Sequence, residues 1–108
     1  AEEYLWDAIV AYVDYSFITE KGLSLKYAVQ GGEIFFNRKK KSVTRATVMK
    51  AFHRARQLQH EKGFVSGPKE LGIFGASYIY PVFLRIGVCV KKSEKIFENV
   101  YSRESKNF

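Results

Sequence analysis

The chain has 108 residues, 46% of them hydrophobic, which is enough for one ordinary domain to bury a core without disulfides or a structural metal. A single cysteine, Cys89, excludes an internal disulfide, and one Cys with two His gives no zinc-binding spacing, so a reducing, intracellular compartment is expected. The net charge of +7 favours anionic partners, while no apolar run approaches the roughly 20 residues of a bilayer span and the acidic start Ala1-Glu2-Glu3 is unlike a signal peptide.

Leu5, Trp6, Ile9, Val10, Val13 and Phe17 recur at steps of one, three and four. This spacing predicts an amphipathic helix from about Glu2 to Thr19, ending near Gly22. Its early acids complement the positive end of the helix dipole. Trp6, Tyr4, Tyr12 and Tyr15 are read as core or boundary residues rather than as a ligand cage.

From Leu23 the period becomes two, with Leu23, Leu25, Tyr27 and Val29 alternating against Ser24, Lys26, Ala28 and Gln30. Gly31-Gly32 then supplies the φ > 0 positions of a tight turn, and Glu33 to Arg38 can pair back as the second strand of a hairpin. No Gly-rich phosphate-binding fingerprint surrounds the pair.

Lys39-Lys40-Lys41-Ser42 reads as a polar connector, and Thr44 as the N-cap of a long helix. Val48, Ala51, Phe52, Ala55 and Leu58 follow one face of that helix. Lys50, His53 and Gln57 project from the other, flanked by Arg54 and Arg56, and residues His60 to Gly63 make its end.

Phe64-Val65-Ser66 can add a short strand, and Gly67-Pro68-Lys69-Glu70 has the pattern of a helix start with only one turn before Gly72. The aromatic, apolar stretch from Gly75 to Gly87 predicts a buried helix starting between Ser77 and Pro81, since Pro81 denies it a central strand. Ser93 can cap a last helix carrying Ile96, Phe97, Val100 and Tyr101. The expected fold is a small α+β domain over 1–102 with a frayed tail over 103–108. It has an N-terminal helix, a β-hairpin, a long basic helix and C-terminal apolar helices that close the core.

Charge distribution carries the functional signal. Between Ile34 and His60 stand Arg38, Lys39, Lys40, Lys41, Arg45, Lys50, Arg54 and Arg56 without one Asp or Glu, whereas residues 1–20 hold Glu2, Glu3, Asp7, Asp14 and Glu20 without one Lys or Arg. A one-sign tract repels itself, and a polyanion that neutralises it gains Coulomb attraction and counterion release. The Lys triplet alone equally serves as a solvated turn that guards a hairpin edge.

The stretch Ser42-Val43-Thr44-Arg45-Ala46-Thr47-Val48-Met49-Lys50-Ala51-Phe52-His53-Arg54-Ala55 resembles the recognition helix of helix-turn-helix and winged-helix DNA-binding domains. The likeness spans residues 42–65. In that family short polar residues at the helix start approach base edges or phosphates. The resemblance implies Thr44, Arg45, Thr47 and Lys50 as contacts and a winged-helix-like fold. Two features depart from it: Gly63-Phe64-Val65 comes about one turn late, and a hairpin precedes the helix where another helix is expected.

Nothing supports catalysis strongly. His53 and His60 are about 10 Å apart on a helix, too far for a shared metal, and Cys89 has no acid or base beside it. We therefore expect no cofactor, no metal and no small-molecule substrate. The expected function is a nuclear, chromatin- or transcription-associated module that binds nucleic acid. DNA is preferred to RNA, with Arg38, Lys39, Lys40, Lys41, Thr44, Arg45, Thr47, Lys50 and Arg54 at the interface. The alternative is a protein-interaction module that takes an acidic or histone-associated peptide, or a copy of itself. A third reading makes Phe35, Phe36, Phe74, Tyr78 and Tyr80 a stacking platform for single strands or an aromatic cage for a methylated lysine.

Overall fold

The computed structural model describes residues 1–38 and 40–92; Lys39, the helix expected after Ser93 and the tail lie outside them. Helix α1 (Glu2–Ala11) leads into strand β1 (Phe17–Ile18), and strands β2 (Ser24–Leu25), β3 (Tyr27–Gln30), β4 (Glu33–Phe36) and β5 (Val43–Thr44) follow. Helix α2 (Arg45–Lys62), a 3₁₀ turn (Pro68–Leu71) and helix α3 (Ala76–Ile86) complete the described chain. The result is an α+β domain with two small antiparallel sheets, β1-β2 and β3-β4-β5.

The first helix is shorter than its apolar stripe predicts. It stops at Ala11, and Asp14 with φ 74° turns the chain so that Phe17 enters a strand. Residues 12–19 are mostly aromatic or β-branched, which suits a half-buried sheet better than a further helical turn. Leu5, Trp6 and Ile9 face the core as expected, but Val10 and Tyr4 are exposed.

The Tyr27 hydroxyl donates to the Ile9 carbonyl at 2.5 Å, which ties the hairpin to the end of α1. Burial first, and then the neighbouring Tyr12, push the Tyr27 phenol well above the ordinary tyrosine value of 10.0. A raised folded-state value means that this contribution to stability is complete below about pH 10 and is lost as pH rises further. Above pH 10 the unfolding free energy should therefore fall by up to about 1.4 kcal/mol per pH unit from this group alone. Denaturant unfolding of wild type and Tyr27→Phe across that range checks it, and equal alkaline slopes in both proteins would contradict it.

The Gly31-Gly32 hairpin forms as expected. Gln30 pairs with Glu33 and both glycines take positive φ, 57° and 74°, as a two-residue turn requires. The alternation from Ser24 to Ala28 also holds, but the pairing changes partner at Lys26: Leu25 pairs with Phe17, whereas Tyr27 pairs with Phe36. Strand β5 has no sequence signal because two residues cannot show a period. Val43 and Thr44 pair with Ile34 and Glu33.

Thr44 caps α2, accepting from the Thr47 amide at 3.2 Å, and Gly63 closes it in the left-handed region. Phe64 to Ser66 form no strand, although the Val65 amide bonds the Val90 carbonyl at 2.9 Å. The Pro68 helix start gives a single 3₁₀ turn, as its length predicts. Helix α3 begins at Ala76, earlier than the proline suggests, so Pro81 lies inside it. The carbonyl that Pro81 leaves without a helical donor belongs to Ser77, an exposed residue.

The core takes residues from every layer, including Ile9, Leu25, Ile34, Val48, Val65, Ile79, Tyr80 and Phe83. The buried Tyr80 hydroxyl reaches the Val65 carbonyl at 2.7 Å, and among the described residues no buried side-chain polar atom lacks a partner. Cys89 is buried, as its apolar neighbours suggest. No helix of the described residues is long and apolar enough to cross a membrane.

Candidate nucleic-acid interface

The hairpin and the two ends of α2 decide where the basic side chains go. Arg38 lies just past β4, its Nε donating to the Ser24 carbonyl, while Lys40 and Lys41 are exposed in the loop that leads to β5. Asn37 bonds Lys26 twice: its amide donates to the Lys26 carbonyl, and its side-chain oxygen accepts from the Lys26 amide. Lys26, Arg38, Lys40 and Lys41 thus gather at the far end of the hairpin. Lys26 is missing from the tract read along the sequence, yet the two-residue turn determines it: once Gly31 and Gly32 are the turn, Tyr27 faces Phe36 and Lys26 faces Asn37.

The start of α2 lies at the opposite end of the sheet. The Arg45 amide bonds the Gly32 carbonyl at 2.9 Å, so the helix begins beside the glycine turn. Three strand residues, or about 10 Å, separate it from the Lys loop. The Thr44 and Thr47 hydroxyls lie 3.0 Å apart and bond each other, so both are engaged in closing the helix.

The basic residues of α2 do not share one face. At about 100° per residue, Thr47, Lys50 and Arg54 fall on one stripe, and Arg45 is turned about 140° from Lys50 and about 180° from Arg54. Arg45 instead stands over the Trp6 ring, 5.3 Å from its centroid, and Arg56 stands 5.6 Å over Phe52. His53 meets Glu2 of α1 at 2.5 Å. The tract therefore divides into a loop cluster, an α2 stripe, and a flank held against α1.

Residues 70–78 connect the first two groups. Arg54 Nε donates to the Glu70 carbonyl at 3.2 Å, Gly75 packs on Val43, and the Tyr78 hydroxyl lies 3.5 Å from the Arg38 carbonyl. The Gln57 amide relays Arg54 to Glu61, and there the basic stripe ends.

Carboxylates absent from the tract in sequence approach its margins in space. Glu33 accepts from Ser42 at 2.5 Å, and Glu70 is held by Lys62 and by the Ser66 amide at 2.6 Å. The hydrogen bond from Lys62, followed by that from the Ser66 amide, keeps the Glu70 carboxyl below the usual range. Ion pairs among the described residues are His53–Glu2, Lys62–Glu70 and Lys91–Glu20. None of them uses Arg38, Lys40, Lys41, Arg45, Lys50, Arg54 or Arg56.

The aromatic platform does not assemble. Phe35 and Phe74 are exposed, but Phe36 and Tyr80 are core residues, and only Tyr78 joins a surface groove. Among the described residues no three His, Cys, Asp or Glu side chains converge as a metal site requires. No protein-family model, no curated protein and no solved structure matches the chain.

Proposed function

We propose that the domain binds nucleic acid, duplex DNA in preference to RNA, as a module of a nuclear chromatin- or transcription-associated protein. The observation that carries this reading is the set of exposed cations on the loop and the α2 stripe, none of which is ion-paired within the described residues. Lys40, Lys41 and Lys50 are point charges on flexible stems, suited to phosphate oxygens, and Arg38 and Arg54 add donors at the ends of the patch. Lys39 lies in the same loop by sequence and is assigned the same role. In this reading α2 does the work of a winged-helix recognition helix, and the basic loop, at the other end of the sheet from its start, adds phosphate contacts.

The threonines add little base discrimination. Their hydroxyls bond each other, so affinity comes from the phosphate backbone and sequence preference is weak. Arg45 acts mainly by holding α2 to α1 through Trp6.

Replacing Lys39, Lys40 and Lys41 together by Ala should weaken duplex binding and flatten its dependence on salt, the log–log slope falling by about 0.9 for each phosphate that is no longer neutralised. Fluorescence anisotropy with a labelled duplex at several salt concentrations measures both quantities. Unchanged affinity and slope in a folded variant would sink the assignment. Ile18 and Leu23, exposed on the β1-β2 hairpin, would then favour the protein-interaction reading.

A further inference from the structure

Beside the basic loop runs a groove of about 550 Å³ between the β1-β2 turn, the 3₁₀ turn and the start of α3. A second depression of about 460 Å³ adjoins it and shares Pro68, Lys69, Ser77 and Tyr78. Both volumes lie in the range of small-ligand pockets. The shared residues bring one aromatic ring, one proline ring, a hydroxyl and an ammonium group to the lining of both. Tyr78 also packs on Phe36, with centroids 5.4 Å apart, so its ring is held in place from the core side.

The charges around the groove are unequal. Glu20 is paired with Lys91 at 3.2 Å, and Glu70 is paired with Lys62. Those two acids are thereby neutralised by lysines, whereas Lys21 and Lys69, also in the wall, belong to none of the ion pairs among the described residues. Two positive charges remain. The Tyr78 hydroxyl lies 3.5 Å from the Arg38 carbonyl, so the Tyr78 side of the groove adjoins the start of the basic loop.

We propose that this groove takes unpaired nucleotides, with bases stacked against Tyr78 and Pro68 in the two depressions and phosphates at Lys21 and Lys69. The proposal rests on the nucleic-acid reading and narrows it: the preferred ligand is a duplex that ends in, or is interrupted by, a short single strand. Two adjoining depressions that share one aromatic ring suit successive bases of a strand. Stacking tolerates any base, because every base has a π face. An acidic peptide would satisfy the two lysines but has no use for the Tyr78 and Pro68 rings that line both depressions.

The test compares a blunt duplex with the same duplex carrying a three-nucleotide overhang, each titrated into wild type, Tyr78→Ala, and Lys21→Glu with Lys69→Glu. Wild type should bind the overhang duplex about tenfold more tightly. Both variants should lose that preference while keeping the affinity of wild type for the blunt duplex, apart from a modest loss from the charge change in the second. The lysine variant alters only exposed side chains, so it remains informative if Tyr78→Ala fails to fold. As a direct readout, a 2-aminopurine base in the overhang should be quenched by wild type and not by either variant.

Equal binding of both duplexes by wild type would overturn the groove proposal and leave the nucleic-acid reading standing. Failure to bind either duplex would overturn both. Displacement of the quenched overhang by a glutamate-rich peptide at lower concentration than by a thymidine oligonucleotide would give the groove to a protein partner instead.

Discussion

Replacing Phe52 by alanine should lower the unfolding free energy by about 3 kcal/mol, near the lower end for a buried aromatic because a little of the ring meets solvent. Phe52 is 8% exposed and lies on the same stripe of α2 as Val48 and Ala55, which are fully buried. Truncation leaves a cavity that the helix, held by Thr44 at one end and Gly63 at the other, cannot close by shifting. It also removes the ring under the Arg56 guanidinium. For a domain of this size the loss corresponds to a fall in melting temperature of about 12–24 °C. Two residues along a helix are about 200° apart, so Phe52 faces away from Lys50 and duplex affinity below the transition should persist. A variant that melts like wild type but no longer binds would place Phe52 on the ligand side.

Gly75→Ala should cost about 2–4 kcal/mol, although it adds one methyl group near the surface. Gly75 has φ +79°, where a side chain is strained by about 1 kcal/mol. A Cβ there would also stand 2.7 Å from Val43 Cγ2, well inside the roughly 3.5–4.0 Å of an ordinary carbon contact. Val43 cannot swing aside, because it is 1% exposed, β-branched and paired with Ile34 in the sheet. The two terms separate in a double-mutant cycle: with Val43→Ala as background the clash disappears, and Gly75→Ala should cost only about 1 kcal/mol. Equal costs in both backgrounds, measured by equilibrium denaturation, would show that backbone strain alone is responsible. The packing of Gly75 on Val43 joins the start of α3 to β5, so disrupting it should also disturb the groove wall at Tyr78.

Several elements are legible because their signals are local. Thr44 has a hydroxyl one residue before the helix starts, Gly63 can adopt positive φ at its end, and the stripe from Val48 to Leu58 keeps its period for three turns. The first helix misleads because its stripe continues through Val13 and Phe17. The same residues also alternate acceptably as a strand, and Asp14 at φ 74° decides between the two. Aspartate tolerates positive φ better than most residues, but no glycine or proline stands beside it to mark the turn in the sequence. The break between β2 and β3 is hidden for a related reason: burial alternates through Lys26 without interruption while the hydrogen-bonding partner changes.

For the candidate site, the sequence alone determines the inventory of charge: a basic tract from Arg38 to Arg56 with no intervening carboxylate, and a hairpin turn that brings Lys26 beside it. Only the tertiary structure decides which of those charges act together. Helix phase and packing against α1 take Arg45 to Trp6 and His53 to Glu2, while the 3₁₀ turn draws Arg54 toward Glu70. Glu33 and Glu70 come to the margins from elsewhere in the chain. The groove at Tyr78 is likewise invisible beforehand, because its walls come from the β1-β2 turn and from the segment between Ser66 and Tyr78, which meet only when α3 docks on the sheet. Charge is a property of composition, and a composition can be read from a string. A surface depends on which faces the core has already claimed, and those are settled by long-range packing.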